Sequence, residues 1–157
     1  MRKTELKGCP MWLLAAETEQ EDVVFDLRGN LVWLGGNFLG GYFLGGDFLG
    51  GDFMGGNFYG GDFKGGDFRV GNFRGGNFRG GTFLGEVLHR TPILIQDLTW
   101  PVICTPEKLR IGCKCYTHTE WQEFSDAKIS EMDPRAGAFW YRNKAFLLGI
   151  CEQEARL

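Results

Sequence analysis

The sequence predicts a mainly β chain built around a short, four-sided β-solenoid. A five-residue phrase, Gly-(Asn/Asp)-Phe-x-Gly, recurs ten times from Gly36 to Gly85 without an insertion. Its phenylalanines fall at Phe38, Phe43, Phe48, Phe53, Phe58, Phe63, Phe68, Phe73, Phe78 and Phe83. A period of five fits neither the 3.6 of a helix nor the 2 of a flat strand. It does fit a coil in which each phrase makes one side and one corner, so that stacked coils repeat the strand spacing of about 4.8 Å.

With four phrases to a coil, residues twenty apart stack, and Asn37, Asn57 and Asn77 form one ladder. Each Phe points inward with the glycine two places before it, which leaves room for the ring. The closing glycine, replaced only by Val70, supplies the positive φ of a tight corner. A disordered Arg-Gly-Gly tail is the competing reading of Arg74-Gly75-Gly76 and Arg79-Gly80-Gly81. Ten bulky residues in strict register argue against it, as they do against a polyglycine adhesin core.

The phrase resembles that of the pentapeptide-repeat proteins, Ala-(Asp/Asn)-Leu-x-x. Phe25-Asp26-Leu27-Arg28-Gly29 comes close to that usual form, one residue out of register with the main array. The resemblance implies a right-handed quadrilateral β-helix. It covers residues 25–90, about three coils, preceded by a capping segment over 1–24 and followed by an α+β extension over 91–157. Leu6 to Glu19 reads as a short amphipathic cap helix after Gly8-Cys9-Pro10, with the first strand at Val23-Val24-Phe25.

After Gly85 the inward positions are taken by Glu86, Thr91 and Gln96, too large or polar for the bore, so regular coiling ends near residue 90. Val102-Ile103-Cys104 and Leu109-Arg110-Ile111 read as a hairpin. Asp133-Pro134 starts a helix reaching about Ala155, with Phe139, Asn143, Phe146, Leu147 and Ile150 on its mostly apolar face. Gly112-Cys113, Trp121, Phe124-Ser125-Asp126, Ile129, Met132 and Ala138-Phe139-Trp140 resemble the C-terminal extension of phage-encoded pentapeptide-repeat proteins. In that pattern a His follows the Cys by three places; here Tyr116 stands there and His118 lies beyond.

Charge and motifs narrow the function. The net charge is −3, unlike that of a generic basic nucleic-acid binder. No apolar run is long enough to span a membrane, and no signal peptide is read at the start. Five cysteines at irregular spacing fit a reduced, cytoplasmic protein. Cys104, Cys113, Cys115 and His118 are candidate zinc ligands, but they lack the Cys-x-x-Cys knuckle. Small buried thiols and no cofactor are therefore the expectation. With only His89 and His118, no nucleophile–base–orienter set is apparent, and the chain reads as a non-enzyme.

The residues after each Phe run Leu39, Leu44, Leu49, Met54, Tyr59, then Lys64, Arg69, Arg74, Arg79, then Leu84. They make an apolar girdle and a basic belt, candidate partner-binding residues on the outside of the coil. Asp47, Asp52, Asp62 and Asp67 balance the four cations, so direct nucleic-acid binding is not expected. The expected partner is a host protein or complex. The function read from this pattern and the phage-type tail is inhibition by direct binding of a host defence complex of CRISPR type, or of another nucleic-acid enzyme. A structural or virion-associated module, dimerising through the C-terminal helix, is the alternative. Gyrase inhibition by DNA mimicry, known for the pentapeptide-repeat family, is a second alternative.

Overall fold

A computed structural model describes residues 1–156 and divides at residue 91 into two compact units. In the first unit a short helix, α1 (Met11–Ala15), precedes a long antiparallel pair, β1 (Glu17–Phe25) and β2 (Leu31–Gly40). A run of two-residue strands then follows, from Tyr42–Phe43 to Glu86–Val87 (β3 to β12).

These short strands are the sides of a β-solenoid of about three coils, and their pairing counts the phrases in each coil. Phe38 is in register with Phe53, Phe43 with Phe58, Phe48 with Phe63 and Phe53 with Phe68, all in parallel ladders. The register is fifteen residues. Three phrases close a coil, so the expected stacking by twenty and the four-sided form do not hold. A five-residue period establishes that a phrase is a side plus a corner. How many sides complete a coil depends on the corner and on what fills the bore.

The rings fill it completely. Each phenylalanine from Phe38 to Phe83 is at most 2% exposed. Ring centroids fifteen residues apart stack nearly parallel, at 4.7 Å for Phe48–Phe63 and 4.8 Å for Phe53–Phe68. Ring centroids five residues apart meet edge-to-face, at 5.9 Å for Phe58–Phe63 and 6.0 Å for Phe63–Phe68. Both geometries suit the aromatic quadrupole. Trp33 takes the slot five residues before Phe38 and stacks on Phe48 at 5.5 Å.

The corner lies at the opening glycine of the phrase, not the closing one. Gly51 and Gly61 have φ of +85° and +91°. A Cβ on either would come within 2.1 Å of the carbonyl oxygen of the opening glycine one coil below. Closing glycines from Gly40 to Gly80 keep ordinary φ, so Val70 meets no φ penalty in that slot. A Cβ at Gly55 or Gly65 would nonetheless stand 2.2 or 2.4 Å from a carbonyl oxygen one coil below. The stack loosens beside Val70: Phe58–Phe73 is 5.3 Å apart, wider than its neighbours.

Both ends of the solenoid are covered. The N-terminal helix is only five residues long, because Ala16 is already extended and Glu17–Phe25 pairs with β2. Trp12 on α1 lies edge-on to Phe43 at 5.1 Å. Glu21 is buried within this cap. Its carboxylate accepts from Arg2 Nε (3.0 Å) and Nη2 (3.2 Å), the Lys3 amide (3.2 Å) and Thr18 Oγ1 (2.9 Å). Phe25–Gly29 belongs to no coil. Leu27 is fully exposed, Gly29 has φ +82°, and Asp26 Oδ1 accepts from the amides of Arg28 and Asn30. Residues 26–30 are the β1–β2 turn, made by the Asp26 side chain. At the other end β12 turns antiparallel onto β11 (Thr82–Phe83), and Leu88 is buried.

The second unit is a meander of β13 (Ile93–Ile95), β14 (Val102–Cys104), β15 (Lys108–Ile111) and β16 (Lys114–Thr117) with three helices. The expected hairpin is the β14–β15 pair. Helix α2 (His118–Glu123) begins at a capping box formed by Thr117 and Glu120, and α3 (Asp126–Met132) at a Ser125 cap. Helix α4 (Ala136–Arg156) buries Ala136, Phe139, Trp140, Leu147, Cys151 and Glu154. Its buried face is therefore rotated from the expected one, and Phe146 is exposed.

Candidate functional sites

A coil of three phrases re-sorts the outward residues into three columns. Leu34, Leu49, Lys64 and Arg79 share one face; Leu39, Met54, Arg69 and Leu84 the second; Leu44, Tyr59 and Arg74 the third. Each column passes from apolar to basic along the axis, and the second returns to apolar at Leu84. The girdle is thus a cuff two coils deep, and the cations still form a belt around it. Leu44 (48% exposed), Leu49, Met54 and Tyr59 remain in solvent, while Leu39 is half-buried.

The belt is matched to the coil beneath. Lys64 pairs with Asp47 at 3.1 Å, Arg69 with Asp52 at 3.3 Å and Arg79 with Asp62 at 3.5 Å. These pairs join one slot of a phrase to another slot one coil below. In the third column the corresponding partner of Arg74 is a neutral amide, Asn57 Oδ1 at 3.0 Å. The Asn ladder is also re-registered. Asn57 Oδ1 accepts from Asn72 Nδ2 (3.1 Å), and Asn77 bonds Asp62.

The third face carries a residue that the girdle omitted. Tyr42 stands where every other phrase but the last, which has Thr82, carries Asn or Asp; it is 52% exposed and stacks on Tyr59 at 5.8 Å. Its departure from the phrase was the available sequence signal. Its partner Tyr59, seventeen residues on, could be found only with a fifteen-residue register.

In the second unit an apolar cavity of about 140 Å³ is lined by Trp100, Trp121, Ile129, Met132, Phe139 and Trp140. Arg135 lies over the Trp100 ring at 5.1 Å. Trp140 Nε1 is buried without a hydrogen-bond partner among the described residues.

The candidate zinc ligands separate. Cys113 is exposed, and Cys115 lies on β16 opposite Arg110. Cys104 and His118 instead meet Cys151 from α4, which was outside the candidate set. Their ligand atoms lie within 4.8 Å of one another. Cys104 Sγ is 3.8 Å from both His118 Nε2 and Cys151 Sγ. Hydrogen bonding from Cys104 lowers the Cys151 thiol pKa against the opposing effect of burial. Cys104 is fully buried, so a Cys104–His118 pair presents no nucleophile to solvent.

No protein-family model, curated protein or solved structure matches this chain. No helix among the described residues is long and apolar enough to cross a membrane.

Proposed function

We propose that the protein is a non-enzymatic binding module that docks a partner protein on the third face of its solenoid. The observation that carries this reading is the exposed cluster of Tyr42, Leu44 and Tyr59 beside Arg74 on a rigid, ring-filled scaffold. Tyr and Arg are the residue types that dominate binding hot spots. A stacked tyrosine pair loses little conformational entropy on docking. The complementary partner surface is an apolar patch that packs on Tyr42, Leu44 and Tyr59. The phage-type pattern of the tail supports a host protein as that partner, such as a CRISPR-type defence complex or another nucleic-acid enzyme, blocked by occupancy rather than by chemistry.

The test is capture of partners from host lysate by the wild type, Leu44→Arg and Tyr59→Arg, with Leu49→Arg as the control on a different face. Loss of a captured protein with Leu44→Arg and Tyr59→Arg, but not with Leu49→Arg, is the expected pattern. A folded Leu44→Arg protein that keeps every partner sinks the proposal. Recovery of the protein in purified virions, with no lysate partner, favours a structural role instead.

A further inference from the structure

Cys104, His118 and Cys151 come from three separate elements: the end of β14, the first residue of α2 and the last turns of α4. We propose that these three side chains form a binding site for a thiophilic divalent cation of the zinc type. The site is independent of the docking face on the solenoid.

The geometry is the argument. Two thiolates and one imidazole on a tetrahedral zinc, at Zn–S of ~2.3 Å and Zn–N of ~2.0–2.1 Å, stand ~3.8 Å apart sulfur to sulfur and ~3.5 Å sulfur to nitrogen. The Cys104–Cys151 and Cys104–His118 separations are both 3.8 Å, and all three ligand atoms fall within 4.8 Å. Little movement is needed to close the shell. The donor set is two soft sulfurs and one imidazole, which favours zinc over calcium or magnesium. A fourth ligand comes from solvent, since His118 and Cys151 line an open pocket with Gln122 and Glu152.

Without metal, His118 Nε2 faces the carbonyl oxygens of Thr105 (2.9 Å) and Lys108 (3.2 Å), a bond that requires the proton on Nε2. Coordination replaces that proton and those of the two thiols, so binding releases protons and weakens on acidification. The Lys108 carbonyl keeps the Thr105 amide as its donor at 2.9 Å. Bound metal ties the sheet to both α2 and α4, stabilising this unit as a structural zinc stabilises a small domain.

The test is titration of the full-length, reduced, chelator-stripped protein with cobalt and then zinc. The expected result is one cobalt per chain with tetrahedral d–d bands and thiolate charge-transfer absorption, displaced by zinc. Cys151→Ser and His118→Ala should weaken binding by more than about 100-fold, beyond the loss typical of an outer-shell change. The double variant Cys113→Ser/Cys115→Ser should bind as the wild type does. An octahedral spectrum, no binding, or loss in the Cys113/Cys115 double variant overturns the site. So does a protein that forms a Cys104–Cys151 disulfide but takes up no metal once reduced. If Cys151→Ser fails to fold, the wild-type spectrum and the double variant still decide.

Discussion

Gly61→Ala tests the corner of the coil, because the same chemical change is harmless at Gly45. At Gly61 the backbone has φ +91°, and the added Cβ would stand 2.1 Å from the Gly46 carbonyl oxygen. The left-handed conformation alone costs an L-residue about 1–2 kcal/mol. Relieving the clash must lift one coil from the next by roughly an ångström, set against a coil spacing of about 4.8 Å. The Asp62 amide to Gly46 carbonyl bond (2.9 Å) and the Lys64 amide to Phe48 carbonyl bond (2.8 Å) sit at that seam. Weakening both adds about 1 kcal/mol each. The expected destabilisation is therefore about 3–4 kcal/mol. At Gly45 the φ is ordinary and nothing lies within 4 Å of the added Cβ. Alanine there should be neutral or stabilise by up to about 1 kcal/mol. Urea melts followed by far-UV circular dichroism read the difference as a midpoint gap of about 2 M, given slopes of about 1–3 kcal/mol/M. Equal midpoints for the two variants would refute the placement of the corner.

Two further outcomes follow from the packing. Phe63→Ala should cost about 3–5 kcal/mol, since its ring is fully buried between Phe48 and Phe78 and touches Phe58 and Phe68 edge-on; calorimetry gives the loss, and a change below 1 kcal/mol would contradict a filled bore. Burial acts to raise the Glu21 pKa, but its bonds to Arg2, Thr18 and Lys3 dominate and hold it at about 2, below the ordinary 4.5. A depressed carboxylate stabilises the fold above its unfolded pKa and loses that contribution as pH falls towards the folded value. Between pH 7 and pH 3 the wild type should lose about 2 kcal/mol more than Glu21→Gln. Parallel losses in denaturant titrations at the two pH values would contradict the role of Glu21.

Much of the fold was legible in the residues. The inward phenylalanines, the end of coiling near Leu88 and the β14–β15 hairpin all follow from local patterns. The number of phrases per coil did not, because it is set by contacts between coils. The charges held only a faint trace of it. A spacing of seventeen, as between Asp47 and Lys64, also pairs Asp52 with Arg69 and Asp62 with Arg79. The spacing of twenty-two required by four phrases pairs only Asp47 with Arg69 and Asp52 with Arg74. Leu27 followed the usual family phrase but lay in a turn fixed by Asp26, where composition imitates a coil. The metal-ligand cluster was half legible. Cys104 and His118 were close enough in sequence to suggest each other, whereas Cys151 joins them only because α4 folds back onto β14.

The fifteen-residue register alone gathers Tyr42, Leu44, Tyr59 and Arg74 onto one face. Paired cysteines test it in a background with Cys9, Cys113 and Cys115 changed to serine. Asn57→Cys/Asn72→Cys joins neighbours whose amides are 3.1 Å apart, within reach of disulfide geometry. Oxidation followed by peptide mapping should find that crosslink and none in Asn57→Cys/Asn77→Cys. A disulfide between positions 57 and 77, with none between 57 and 72, would restore a coil of four phrases and dissolve the docking face.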